Sequence, residues 1–218
     1  MMRERGSALV SVILVLLVLT IVGVGIAYFT SMEDRLSGNT RITKAGFYAA
    51  DAGLRRGEAL LNEVINLDPT ACGIPATSSL VLSSLLVART PASNIKVPGG
   101  GYDALALDFS TISSAVCLGA DRKAYLNVLI PPPAGVSVVD KVSYSLYLRN
   151  NVDDALGTDI VDTDDIVNLV SVGTVQLAAG AVVTKIIEEQ LLLSAGGGST
   201  GAQKDVNAGG TNTISGST

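Results

Sequence analysis

The hydrophobic and polar positions divide this chain of 218 residues into stretches of different kinds. From Gly6 to Met32 no charge interrupts an almost wholly apolar run; Arg3, Glu4 and Arg5 precede it and Glu33, Asp34 and Arg35 close it. An α-helix rises about 1.5 Å per residue, so this run is long enough to cross a hydrocarbon layer of about 30 Å. No proline follows between Met32 and Leu67. Apolar residues recur there at Met32, Leu36, Phe47, Leu54, Leu60, Leu61, Val64 and Ile65, loosely helical in spacing, with Glu33, Asp34, Arg55, Arg56 and Glu58 on other faces. The pattern predicts one helix of roughly 60 residues, about 90 Å long, running to about residue 67 and closed by Pro69. Two helices broken near Gly38 are the competing reading, because Gly38-Asn39 and Gly46 are weak points in a helix.

Beyond Pro69 the pattern changes. Leu80 to Val87 is an apolar piece that fits a short helix or a strand. Pro91, Pro98 and Gly99-Gly100-Gly101 mark a connection, and no Lys-Ser/Thr follows the glycines to make a phosphate loop. Ala124 to Ile130 reads as a strand ended by Pro131-Pro132-Pro133. Val136 to Arg149 alternates in part, with Val142, Tyr144, Leu146 and Leu148 on one face. Ile166–Leu177 and Ala181–Leu193 read as a hairpin around Ala178-Ala179-Gly180. Such an antiparallel sheet needs a cover for its apolar face, and the amphipathic half of the long helix supplies it, which makes the fold α+β. The small residues from Ala45 to Ala52 read as a site of close packing, and Phe47-Tyr48 as core or interface. Residues 194–218 are rich in Gly, Ser and Thr and read as a flexible tail that cannot bury enough surface to order itself.

Composition removes several classes of function. The formal net charge is −5, so no basic body points to nucleic acid. There is no histidine, which excludes histidine triads, bases and metal ligands. Cys72 and Cys117 form no CxxC pair; they are either one disulfide, as expected in an exported domain, or two buried thiols. Between the long strands lies the most acidic stretch, Asn150-Asn151-Val152-Asp153-Asp154 and then Asp159, Asp162, Asp164 and Asp165. Asp153, Asp154, Asp159, Asp162 and Asp164 are a candidate set for calcium, a hard cation that prefers oxygen ligands. The spacing is not that of an EF-hand, since Ile166 and Gly173 stand where ligands belong. The competing reading is a solvated turn in which Asp and Asn cap their own backbone. No convincing catalytic set is present; paired carboxylates for glycoside cleavage lack any accompanying sign of a sugar cleft.

Three readings of the N-terminus compete. A removed signal peptide has an apolar region of roughly 7–15 residues and a small-x-small cleavage site, and neither fits here. A plain signal anchor competes with a class III leader, cut before the apolar run, and the short charged head Met1–Gly6 followed from Ser7 by the hydrophobic helix fits the leader well. Gly6 suits a scissile position because it has no Cβ to obstruct a protease cleft. Arg3 and Arg5 favour a cytoplasmic N-terminus and an outward-facing bulk.

Arg5-Gly6-Ser7-Ala8-Leu9-Val10 with its apolar run resembles the start of a type IV pilin-like protein. Ser31–Arg41 and Ala45–Arg55 resemble the N-terminal region of PilX-class minor pilins, and Tyr147–Asp154 with Asp162–Asp165 and Ser171–Gly173 resembles their C-terminal region. The resemblance implies a lollipop: a leader over 1–6, a transmembrane or filament-core helix half over 7–32, and a periplasmic or extracellular domain over 33–193. Within that domain it implies a variable segment at about 69–123 and a β-sheet at about 124–193. It further implies cleavage between Gly6 and Ser7 by a prepilin peptidase, N-methylation of Ser7, residence in the inner membrane and then on the pilus. The implied partners are other minor and major pilins and the inner-membrane assembly platform, with no cofactor and no enzymatic activity. Related pseudopilins bind calcium in loops, which bears on the acidic stretch. Major pilins carry a glutamate as the fifth residue of the mature chain, and that position here is Ser11. Its absence implies a place at the priming or capping tip of the fibre. Two other readings stay open: a tip-type pseudopilin of a type II secretion system, and a signal-anchored binding or enzymatic domain, which predicts an uncut N-terminus and a pocket of converging polar groups.

Overall fold

The computed structural model describes residues 4–67, 69–72, 77–87, 95–97, 102–111, 115–132, 140–152, 160–178, 180–193, 200–206 and 215–217. The first element, α1, is a single α-helix over Glu4–Ile65. Gly38 does not break it; Thr40 Oγ1 donates to the Leu36 carbonyl at 2.9 Å across that point. One glycine costs a helix interior only about 1 kcal/mol relative to alanine, too little to stop a helix with long formers on both sides. The chain falls into two units, Met1–Ile42 and Thr43–Thr218, and α1 contributes to both.

In the second unit α1 is followed by α2 (Pro69–Cys72) and α3 (Ser78–Val87). The apolar piece from Leu80 is thus helical. Next come β1 (Leu105–Ala106), α4 (Ala115–Leu118) and β2 (Val128–Leu129), with short 3-10 turns at Phe109–Thr111 and Gly119–Asp121. Three long strands follow: β3 (Lys141–Asn150), β4 (Ile166–Gln176) and β5 (Val182–Leu192). β6 (Thr200–Val206) and β7 (Ser215–Ser217) complete the order. All pairings are antiparallel, in the order β1-β3-β4-β5-β6-β7, with β2 also on β3.

The β4–β5 hairpin turns where the glycine allows it. Gly180 has φ +84°, Gly180 N–H donates to the Leu177 carbonyl at 2.9 Å, and Leu177 N–H to that of Ala181 at 2.9 Å. The register aligns Tyr144 with Gly173 and Lys185, Leu146 with Ser171 and Ile187, and Leu148 with Leu169 and Glu189. This face meets α1. Its core joins Ala50, Leu54, Leu60, Leu61 and Val64 of the helix to Leu146, Leu148, Val167, Leu169, Ile187 and Leu191 of the sheet. Fully burying one such Leu, Ile or Val side chain contributes about 1.5–3 kcal/mol. The opposite face is also covered: Val97 and Ala104 pack on Val170 and Ile186, with Ile95, Tyr147 and Val172 beside them.

Two features differ from the sequence expectation. The strand expected over Ala124–Ile130 is reduced to Val128–Leu129, because Ala124 makes only an isolated bridge to Asp108 and Tyr125 turns its ring into the core. The tail read as flexible supplies β6 and β7. A strand at a sheet edge can be held by backbone hydrogen bonds, which do not require apolar side chains, so composition is a poor guide there.

Candidate functional site: the exposed helix, its seat and the acidic connection

In the first unit, the apolar side chains of α1 face outward along the whole run. Leu9, Ile13, Leu16, Ile21, Val24 and Phe29 are each more than half exposed, as is Met32. Over its best window this helix has a mean hydropathy of 3.1 and no buried residues, and it is long and apolar enough to cross a membrane. The polar side chains inside the run are reconciled with an apolar surround by their own backbone: Thr20 Oγ1 donates to the Leu16 carbonyl at 2.7 Å, and Thr30 Oγ1 to that of Ile26 at 3.0 Å. Gly6 and Ser7 lie on the first turns of α1. Ser11 carries no charge at a position inside the helix.

In the second unit the small residues of α1 bring it very close to the sheet. A Cβ on Gly173 would meet the Gly46 carbonyl and, at 2.5 Å, the Ala50 nitrogen. A Cβ on Gly53 would meet Ser171 Oγ and, at 2.7 Å, Tyr144 Cδ2; one on Gly57 would lie 2.8 Å from Leu169 Cδ2. Gly46, Ala50, Gly53 and Gly57 follow helical spacing, so they form one stripe that faces the sheet. Phe47 and Tyr48 point away from it at 37% and 66% exposure, which rules out the core reading for that pair.

Covalent and ionic ties hold the segment after α1. Cys72 at the end of α2 and Cys117 in α4 are joined as a disulfide, with a Cα–Cα distance of 5.9 Å. Arg56 of α1 pairs with Asp121 at 2.6 Å, and the buried Tyr125 donates its hydroxyl to the same Asp121 Oδ1 at 2.6 Å. The hydrogen bond from Tyr125 and then that from Arg56 hold the Asp121 carboxyl below the usual carboxylate range. Burial and the Asp121 partner push the Tyr125 phenol up. Phe109 meets the Tyr125 ring edge to face at 5.8 Å.

The sequence reading missed two buried charged groups on β5. Glu188 and Glu189 are neighbours on a strand, so they point to opposite faces, and both are buried. Glu188 accepts from Arg149 Nε at 2.7 Å, and Arg149 also donates to the Tyr102 carbonyl at 3.4 Å. Glu189 lies on the α1 side near Glu58, Arg55 and Asp51, and burial followed by the Glu58 charge pushes its carboxyl up. The available signal was the pair of adjacent carboxylates inside an apolar alternating strand.

The β3–β4 connection carries the acidic stretch. Asp153, Asp154 and Asp159 lie outside the described residues. Asn150 Nδ2 donates to the Val161 carbonyl at 2.8 Å, and Asn150 Oδ1 accepts from Asn151 N–H at 3.1 Å. Asn151 Nδ2 donates to Asp164 Oδ2 at 2.9 Å, while Asp164 Oδ1 accepts from Ile166 N–H at 3.0 Å. Asp162 is buried, its N–H donating to Ser83 Oγ of α3 at 2.9 Å. Among the described residues no three His, Cys, Asp or Glu side chains gather as metal ligands.

No curated protein and no solved structure matches the chain. Residues 5–55 match the family model described as PilX N-terminal. The match takes in the exposed apolar run and the small-residue stripe as far as Gly53, the two features that set this helix apart from an ordinary core helix. Over that segment, about a quarter of its length, the chain is similar to the PilX N-terminal family.

Proposed function

We propose that this protein is a minor pilin that acts in type IV pilus assembly, priming or capping the fibre at its tip. The reading is carried by one observation: the PilX N-terminal match lies on a helix whose apolar side chains are exposed from Leu9 to Met32. A helix of that kind fits a single-pass membrane anchor, and burial against the equivalent helices of other subunits removes the same surface from lipid. Ser11 supports the tip position. A buried carboxylate near the mature N-terminus can pair with the free amino group of a neighbouring subunit and set its register. A serine offers no charge for that pairing, so this subunit has less reason to be added beneath an existing one.

The chain enters the inner membrane with its first residues cytoplasmic, and prepilin peptidase cuts between Gly6 and Ser7. Intact mass and N-terminal sequencing of the protein from its native membrane test this. The expected product begins with N-methylated Ser7 and is lost when the peptidase is deleted. A chain that still begins at Met1 in both strains would make the apolar run a plain signal anchor. Immunogold labelling of sheared fibres tests the position: label at fibre ends fits a tip subunit, and label along the shaft refutes it.

A further inference from the structure

We propose that the C-terminal tail is an edge guard: β6 and β7 occupy the open side of β5 and keep it from pairing with β5 of a second copy of this chain. β5 has 11 residues and is paired along its whole length with β4 on one side. Its other side is a row of backbone N–H and C=O groups, and such a row is a template for any extended chain. Charged side chains blunt an edge of this kind, but from Ile186 to Leu192 the charges are Glu188 and Glu189, and both are buried. The exposed residues of that stretch, Gln190 and Leu192, carry no charge. β6 pairs with just this stretch, from Ile186 opposite Val206 to Leu192 opposite Thr200. Val182–Lys185, which β6 does not pair with, ends on a lysine, the side chain that best blunts an edge.

The lengths of the strands point the same way. From β5 outward the sheet steps down from 11 residues to 7 in β6 and 3 in β7. A last strand that short offers little for another chain to pair with. The tail is suited to covering backbone and to little else. From Ser194 to Asp205 its sequence has no large apolar side chain, so it brings no anchor for a core. A polar, Gly-containing strand specifies its register weakly, and here Lys204 stands opposite Glu188, a charge match that favours the register seen. The competitor is a second copy because the bare edge of an antiparallel strand complements itself about a two-fold axis. Copies held by the same kind of helix would present that edge to one another.

Light scattering on the full chain in detergent micelles tests the proposal against two variants, with circular dichroism to read the fold. One variant ends at Leu193. The other is the full chain with Gln203→Pro and Lys204→Pro, which removes two backbone donors from β6 and leaves the rest of the tail in place. Both variants are expected to fold and to reach about twice the protein mass of the parent, as two bare edges pair. Adding Gln190→Lys to either variant places a charge at an exposed position of the bare edge, and is expected to return the mass to the parent's. A folded variant that keeps the parent's mass overturns the proposal. Association that Gln190→Lys leaves unchanged overturns it too, because the contact would then lie elsewhere. Where only one variant folds, that variant is read by the same two criteria. Loss of the fold in both overturns the proposal as well, because the tail would then be part of the folding unit and not a guard.

Discussion

Glu189 shows what a single side chain can hide in a strand. It is 4% exposed, its Oε2 has no partner among the described residues, and it faces Glu58, Asp51 and Arg55 of α1. Its folded-state pKa is raised, so folding favours the protonated form. The stability it contributes is full below the ordinary glutamate range and is lost as pH rises through the folded value. Glu189→Gln keeps the shape and removes the charge. The variant is therefore expected to match the parent in denaturant midpoint near pH 4 and to exceed it at pH 7. A midpoint lower than the parent's at pH 7 would mean that the charged form is stabilised by a partner. Asp121 has the opposite sign: its lowered pKa gives stability that is present above the usual carboxylate range and lost as pH falls through the folded value.

The joint between α1 and the sheet is decided by which glycines touch backbone. At Gly173 an added Cβ would run into the main chain of Gly46 and Ala50, which cannot move without lifting the helix. Gly173→Ala should destabilise by about 1–3 kcal/mol, the usual range for overpacking, or more. At Gly46 the nearest atom is Lys185 Cγ at 3.3 Å, part of a flexible side chain. Gly46→Ala should be neutral, or stabilise by up to about 1 kcal/mol through helix propensity. Thermal melts of both variants check the pair. Equal losses at the two positions would mean that α1 does not seat on β4 as described.

The two units answer to different environments. Met1–Ile42 presents an apolar surface that water does not favour, while Thr43–Thr218 buries apolar clusters on both faces of a sheet. Within the second unit the disulfide joins α2 to α4 across 45 residues of sequence, and Arg56 with Asp121 adds an ionic tie from α1 to the same segment. Reduction is expected to cost about 2–5 kcal/mol, the typical range for a bridge closing a loop of this order. Melts with and without reductant read the loss; an unchanged Tm would show that the segment is held by packing alone.

Much of this was legible in order along the chain. The long helix followed from an absence of charge and then of proline. The β4–β5 hairpin followed from alternation on either side of a glycine, and the shared face of Val142, Tyr144, Leu146 and Leu148 from a period of two. Ala45 to Ala52 read as close packing because small side chains on a helix more often serve packing than a site. These are local signals, set by which backbone conformations and which burial periods a stretch of side chains allows. The rest depended on contacts between residues distant in sequence. Nothing local tells that Gly173 lies under Gly46 and Ala50, or that Glu188 meets Arg149 while its neighbour Glu189 faces the helix. Nor does composition tell that a Gly- and Ser-rich tail pairs along β5, because a sheet edge recruits backbone and is indifferent to side chains. The sequence alone was enough for the long helix with its apolar run and for the three long strands. Long-range packing settled the register of the sheet, the seat of the helix and the partner of each buried charge, since those energies exist only once the chain has folded back on itself.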